Sequence, residues 1–245
     1  MASESNQGVA ASAVAPRGWR CEGCGYPIGG MALDAGCPEC GQRVGDADPR
    51  RRDGPAWAKQ RSASAWLATL IALTTRPRAT YRALDFTGSA TPARLFLLSC
   101  VVLCWINPAT LHGLRIGDPR WVAGGIFASK ALLALTYLDV LAVSCLMRVR
   151  GWSLGPGRVE RVAAYAAPGW VVGMGLLTAA WLAGQPVTPM TLGLGVSWAG
   201  LARSSAWVGP AALAVGLGVL LLPFEGLMYL GLRQCRFANR AESDV

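Results

Sequence analysis

Four apolar stretches limit what this chain can fold into, because each comes close to the ~20 residues that a helix needs to cross a bilayer. They lie at about 95–111, 122–147, 162–183 and 207–232. In lipid, every backbone N–H and C=O group needs a partner within the protein, so such segments form α-helices. Charged residues are only 15% of the chain, against about 25% in soluble domains. The sequence therefore predicts an all-α polytopic membrane helix bundle.

Two of the apolar regions are less regular than the others. The first stretch is the shortest, and Asn107-Pro108 interrupts it near its end. The segment 190–202 is shorter still and rich in glycine, which favours a short or re-entrant segment over a fifth span. We expect the transmembrane domain to cover 87–236 and to be followed by a tail at 237–245.

Positive charge predicts the orientation of the spans. Nineteen of the 23 Lys and Arg residues lie before the first span, between the second and third, or after the fourth; three lie on the opposite side. Lys and Arg concentrate on the cytoplasmic flanks of membrane helices. We expect a multi-pass protein of the cytoplasmic (inner) membrane with both termini in the cytoplasm. The same charge suits anionic headgroups, so membrane lipid is an expected partner.

Two C-x-x-C pairs precede the apolar stretches, within 17–43. Their cysteines are Cys21, Cys24, Cys37 and Cys40. This spacing is typical of a tetrahedral zinc site, and Gly25 and Gly41, which follow the pairs, can adopt positive φ in the turns. Iron of the rubredoxin type needs the same sulfurs, and the sequence does not separate the two metals. Since four protein ligands leave no position for a substrate, a small β zinc ribbon with a structural metal is predicted.

Three further segments flank the predicted ribbon. Residues 1–16 are small and polar and are expected to be disordered. The segment 44–60 is predicted to be a flexible basic linker. The segment 61–86 places Trp66 and Leu73 on one helical face and has arginines around it, which favours an interfacial amphipathic helix over a soluble linker helix.

Charged residues inside the spans are candidates for function. Lys130 lies near the outer end of the second span, where its stem can extend to the headgroups. Asp139 and Glu225 lie at similar depths in the second and fourth spans. Intramembrane acids suggest ion or proton handling. Alternatively, they hydrogen-bond neighbouring helices and hold the bundle together.

The segment "LTTRPRATYRAL", the spans after it and "RVERVAAYAAPGWVVG" at the third span resemble the Yip-type integral membrane domain over about 64–236. The front is similar to the C-x-x-C-G-Y…C-P-E-C-G ribbon of some bacterial membrane proteins. Yip-type domains usually have five spans, whereas four are predicted here. The resemblance implies a non-enzymatic protein, associated in eukaryotes with small GTPases and membrane shaping. That partner does not carry over to a bacterial-looking chain.

No catalytic pattern stands out in the sequence. It lacks G-x-S-x-G and H-E-x-x-H, and its single histidine is His112, in a predicted outer loop. We therefore expect a non-enzymatic membrane scaffold or adaptor whose zinc ribbon recruits a protein partner. The alternative is a small ion- or proton-coupled transporter or channel using the intramembrane acids. A homo-oligomer is left open, and nucleic acid is disfavoured because the ribbon hairpin "YPIGGMALDAG" has no Lys or Arg.

Overall fold

The computed structural model describes residues 14–150, 154–183 and 208–239, and this part of the chain is mostly helical. Its helices, numbered here in chain order, are α1 (Ala56–Lys59), α2 (Ala63–Thr75), α3 (Pro77–Arg82), α4 (Thr91–Cys104), α5 (Pro108–Ile116), α6 (Pro119–Val149), α7 (Pro156–Ala166), α8 (Pro168–Ala183) and α9 (Val208–Cys235). Most of 1–16, all of 190–202 and the end of the predicted tail lie outside the described residues.

Proline opens most of these helices, because its missing N–H is not needed in the first turn and its fixed φ suits a helix start. Side chains just before the prolines complete two of the starts. Asn107 Oδ1 accepts a hydrogen bond from Thr110 N at 3.0 Å, and Asp118 Oδ1 accepts one from Arg120 N at 2.9 Å. Local sequence thus fixes where these helices begin.

Three helical segments are long and apolar enough to cross a membrane. They are Val122–Val149, Pro156–Ala180 and Ala214–Cys235. These segments correspond to the second, third and fourth predicted spans, and they indicate a membrane protein. The middle one starts earlier than the predicted 162–183, because α7 leads into α8 across Ala167.

The first predicted span, 95–111, does not form one helix. α4 ends at Cys104 and a new helix starts at Pro108. Asn107, the residue before the proline, is extended, with φ −112° and ψ 169°, as proline imposes on its predecessor. With 14 residues, α4 reaches about 21 Å at 1.5 Å per residue, short of the ~30 Å hydrocarbon core. The described residues therefore contain three helices of spanning length, where four were predicted.

Trp170 on α8 connects the long helices. Its ring stacks on Phe224 of α9 with a centroid distance of 4.2 Å. Its indole N–H donates to Thr136 Oγ1 of α6 at 3.0 Å. All three side chains are buried, so one residue joins three helices.

Glycine allows α8 and α9 to approach closely. A Cβ at Gly169 would lie 2.3 Å from Phe224 Cα, and one at Gly173 would lie 2.7 Å from Leu220 O. Both distances are far below a normal contact and both involve backbone atoms. The two helices can therefore pack backbone to backbone only where α8 lacks a side chain.

The segment predicted as an interfacial helix region, 61–86, forms α2 and α3, with Pro77 opening the second. Leu73 and Tyr81 are fully buried in the main core. The Trp66 indole donates to Ser99 Oγ of α4 at 2.7 Å, while Leu67 remains half exposed. These short helices thus pack against the bundle and keep an apolar side open.

The segment predicted as a flexible basic linker, 44–60, contributes residues to two cores. Val44 and Ala47 are buried with the ribbon cysteines, and Trp57 packs against the main core. The Trp57 indole also donates to Pro92 O at 2.8 Å. The structure therefore shows a packed connection here, and the ribbon has a defined position on the bundle.

Candidate metal centre

The four predicted ligand cysteines lie together, with all their sulfur atoms within 4.8 Å of one another. Cys21 Sγ is 3.5 Å from Cys40 Sγ, and Cys24 Sγ is 3.6 Å from Cys37 Sγ. A tetrahedral ion with Zn–S bonds of about 2.3 Å requires S···S distances of about 3.8 Å. The geometry thus confirms a cluster compatible with a metal site, and each close pair takes one cysteine from each C-x-x-C.

The first C-x-x-C forms a tight turn closed by two backbone hydrogen bonds. Cys21 N–H donates to Tyr26 O at 2.8 Å, and Gly25 N–H donates to Cys21 O at 2.8 Å. Gly25 has φ +84°, which residues with a Cβ rarely adopt. The turn depends on a glycine directly after the second cysteine.

The second C-x-x-C repeats this arrangement. Cys37 N–H donates to Gln42 O at 2.8 Å, Gly41 N–H donates to Cys37 O at 2.9 Å, and Gly41 has φ +73°. The two turns face each other across the sulfur cluster. Sequence reasoning identified both glycines correctly, because the requirement for positive φ is local.

Backbone pairing around the cluster is limited. The described residues of this region form isolated bridges: Arg20 with Pro27 beside the first turn, Gly36 with Arg43 beside the second, and Val14 with Ala32. These are not full strands, so the β part of the predicted ribbon is not seen as regular sheet. A small apolar cluster around Trp19, Ile28 and Val44 supports the cysteines instead.

The thiols of the cluster differ in acidity. Burial raises the pKa of Cys21 to about 12. At Cys37 burial acts in the same direction, but hydrogen bonds from the N–H groups of Cys40 and Glu39 outweigh it and lower the pKa to about 7. Because thiolates rather than thiols bind metals, a bound cation would have to displace the proton from Cys21.

The segment that carries the cysteines is attached to the last described residues of the chain through Asn239, which is buried. Arg20 N–H donates to Asn239 Oδ1 at 2.8 Å, and Asn239 Nδ2 donates to Arg20 O at 2.9 Å. The same nitrogen donates to Ala47 O at 3.0 Å. The sequence assigned Asn239 to a tail, and no local signal marked it.

The first turn rests directly on the end of α9. A Cβ at Gly25 would lie 2.6 Å from the Phe237 ring, and Arg236 donates to Gly23 O at 3.4 Å. In the second turn, Pro38, Glu39 and Cys40 are exposed. The two turns are therefore equivalent in backbone geometry but differ in what covers them.

A buried ion pair forms a further contact between the cluster and the bundle. Arg52 binds the Glu22 carboxylate, donates to Leu84 O at 3.2 Å and lies 5.4 Å from the centre of the Phe86 ring. Burial raises the pKa of Glu22 in spite of the opposing charge of Arg52. Sequence reasoning treated Arg52 as one of several linker charges and missed this role.

The structure separates the predicted intramembrane residues into two groups. The carboxyl groups of Asp139 on α6 and Glu225 on α9 interact with each other. Lys130 is exposed on α6, about 13 Å from Asp139 along the helix axis at 1.5 Å per residue. The acids thus form a pair, and the lysine lies apart from them.

Comparisons with known proteins gave no match to a family model, a curated protein or a solved structure. The functional conclusions below therefore depend on the geometry of this chain and on its sequence patterns.

Asn239→Ala is expected to loosen the contact between the ribbon and the bundle. The change removes three hydrogen bonds that join Asn239 to Arg20 and Ala47, each contributing about 0.5–1.5 kcal/mol. We expect faster amide hydrogen exchange over 14–48 in the full-length protein, with the long helices unchanged. Gln60→Ala, at an exposed position, serves as the control. Equal exchange in the two variants would contradict the docked arrangement.

Proposed function

We propose that this protein is a non-enzymatic membrane adaptor, in which the helix bundle is the anchor and the zinc ribbon recruits a protein partner through its second turn. One observation carries this proposal. Phe237 covers the first turn at Gly25, whereas Glu39 and Cys40 of the equivalent second turn are exposed. A ribbon held on a membrane bundle in this way presents a fixed surface to a partner.

Zinc is the metal that we propose for the cluster. The sulfur separations suit a tetrahedral site, and four thiolates are a common ligand set for structural zinc. Such a set leaves no open position for a substrate, which supports a structural role. Residues 14–47 have only a small apolar core, and a metal would supply the stability that this core lacks.

We propose that the ribbon and the end of α9 both lie in the cytoplasm. Their direct contact through Arg20 and Asn239 supports a common side. Arg158 at the start of α7 donates to Ala238 O and Asn239 O, and Arg94 near the start of α4 pairs with Glu160. The starts of α4 and α7 thus lie at the ribbon end, so α4 and α5 would carry the chain to the opposite end before α6 returns.

This orientation can be tested with an impermeant thiol reagent in intact cells. Gln60→Cys, near the ribbon, should be shielded, and Arg115→Cys, at the end of α5, should be labelled. Both side chains are exposed in the structure, so a difference in labelling reports the side of the membrane and not burial within the protein. Labelling is measured above that of the wild type, which carries its own exposed cysteines. Labelling of Gln60→Cys in intact cells would contradict the proposed side.

Partner recruitment is tested by photo-crosslinking of the full-length protein in its membrane. A crosslinker at Arg43, beside the second turn, should give a defined protein adduct, and one at the exposed Arg50 should not. The adduct should be lost with Glu39→Lys, which reverses a charge on the exposed turn. Absence of an adduct at Arg43, or an adduct indifferent to Glu39→Lys, would contradict recruitment by this surface.

A second function, ion or proton movement, is favoured by the Asp139–Glu225 pair. Two facing acids on separate membrane helices are costly, and such pairs often mark ion pathways. In the adaptor proposal the pair only joins α6 to α9.

The two functions predict different results for Asp139→Asn and Glu225→Gln. For an adaptor, both variants should insert, fold and keep the Arg43 adduct, with a stability loss of about 0.6 kcal/mol per helix contact. For a transporter, an amide cannot titrate near neutral pH, so flux should be lost. The measurement is proton and cation flux in proteoliposomes. Wild-type flux that disappears in a well-folded Glu225→Gln variant would replace the adaptor proposal with the transporter.

A further inference from the structure

A cationic cleft lies where the ribbon, α3 and the end of α9 meet. Its volume is about 300 Å³, and four arginines line it together with Leu230 and Glu22. We call it the arginine cleft; its arginines are Arg78, Arg82, Arg233 and Arg236. None of the four arginines belongs to the cysteine cluster or to the acid pair.

The fold brings the four arginines together from two helices. Arg78 and Arg82 are four residues apart on α3 and therefore share a face. Arg233 lies in the last turn of α9, and Arg236 follows that helix. α3 can cross the end of α9 closely because Gly231 has no side chain. A Cβ at this position would lie 2.7 Å from the Tyr81 ring.

Two of the guanidinium groups are held in place by neighbours. Arg82 Nε donates to Gln234 Oε1 at 2.8 Å. Arg236 donates to Gly23 O and lies 4.5 Å from the centre of the Phe237 ring. These contacts reduce the ordering that a ligand would otherwise have to impose, which favours binding.

The charge balance of the cleft favours an anion. Arginine remains protonated at all physiological pH values, so four positive charges face one carboxylate, Glu22. That carboxylate is already paired with Arg52, from outside the cleft lining. Converging guanidinium groups suit phosphate oxygens because they can donate two parallel hydrogen bonds to them.

The cleft also lies at the end of a membrane helix. Leu230 and Arg233 are in the last turns of Ala214–Cys235, a segment of spanning length and hydropathy. Leu222 and Tyr229 of the same helix are 71% and 61% exposed, as expected for side chains that face lipid. Arginines at this level meet headgroups, and Leu230 adds an apolar side chain to the lining of the cleft, against which the upper part of an acyl chain can pack.

We propose that the arginine cleft binds the phosphate of an anionic phospholipid, so that one lipid is held between the ribbon and the bundle. This goes beyond recruitment of a protein partner and depends only on α9 being a membrane span. It also differs from diffuse attraction of a basic surface, because it requires α3 and the end of α9 together.

The test titrates full-length protein in detergent with phosphatidylglycerol or phosphatidylcholine and counts bound lipid by native mass spectrometry. Wild type should retain one phosphatidylglycerol in preference to phosphatidylcholine. The double variant Arg78→Gln/Arg82→Gln should weaken that binding about 30-fold, since each arginine near anionic lipid contributes about five-fold. The control is Arg115→Gln/Arg120→Gln, which makes the same change in charge at exposed positions at the end of α5 and the start of α6.

A charge-preserving variant and a competition with inorganic phosphate complete the test. Arg78→Lys/Arg82→Lys keeps the charge and should retain part of the preference, which separates lost binding from lost folding. If Arg78→Gln/Arg82→Gln and Arg115→Gln/Arg120→Gln weaken phosphatidylglycerol binding equally, or if the wild type shows no lipid preference, the proposal is overturned in favour of diffuse attraction. Displacement of the lipid by millimolar inorganic phosphate would overturn it in favour of a site for soluble phosphate.

Discussion

Replacing Cys37 with serine should lower the metal content of the purified protein from about one zinc ion per chain to none. The serine hydroxyl is a poor ligand, and the remaining three sulfurs leave the tetrahedral site incomplete. Structural zinc contributes about 10–16 kcal/mol of apparent binding free energy in small domains, far more than the small apolar cluster around Trp19 and Ile28 can replace. Elemental analysis of chelator-free, reduced protein gives the metal content and separates zinc from iron.

The same variant should open the ribbon without unfolding the bundle. Trypsin should cut after Arg20 and Arg43 much faster than in the wild type, because both sites sit in backbone that the cluster orders. Cys145→Ser is the matched control, since Cys145 is an exposed residue of α6 outside the cluster. A wild-type protein without metal, or a Cys37→Ser variant that keeps it, would contradict the metal site.

Gly169→Ala should prevent α8 and α9 from packing and should leave little folded protein. The added Cβ would lie 2.3 Å from Phe224 Cα and 2.6 Å from Pro223 C. Both are backbone atoms, so no side chain can rotate away. Ordinary overpacking costs about 1–3 kcal/mol, and we expect this backbone clash to exceed that range. It would also separate Trp170 from Phe224.

Gly175→Ala provides the comparison on the same helix. Apart from its chain neighbours and the backbone of its own helix, no described atom lies within 4 Å of a Cβ there, and alanine favours a helix more than glycine does. We expect this variant to be neutral or slightly more stable. The measurement is the recovery of monodisperse protein and its thermal unfolding in detergent. Similar behaviour of the two variants would contradict the close contact between α8 and α9.

The sequence by itself determined the long helices and the cysteine cluster. Hydropathy is a local property, so the three segments of spanning length follow from composition alone. The cysteine spacing and the glycines after each pair are also local requirements, and the structure places all four sulfurs together. The break at Pro108 was visible in the sequence too, but its consequence was underestimated: the extended Asn107 divides the first predicted span into two helices.

Only the tertiary structure decided how these parts meet. Arg20 and Asn239, 219 residues apart, hydrogen-bond to each other, and a contact of this kind depends on the shapes of two distant surfaces. The same holds for the Asp139–Glu225 pair. Two glycines of α8 that look alike in sequence also differ in their surroundings: Gly173 faces the backbone of α9, whereas no atom of α9 lies within 4 Å of a Cβ at Gly175. Helix formation depends on neighbours in sequence, whereas docking depends on which faces the completed helices present to each other.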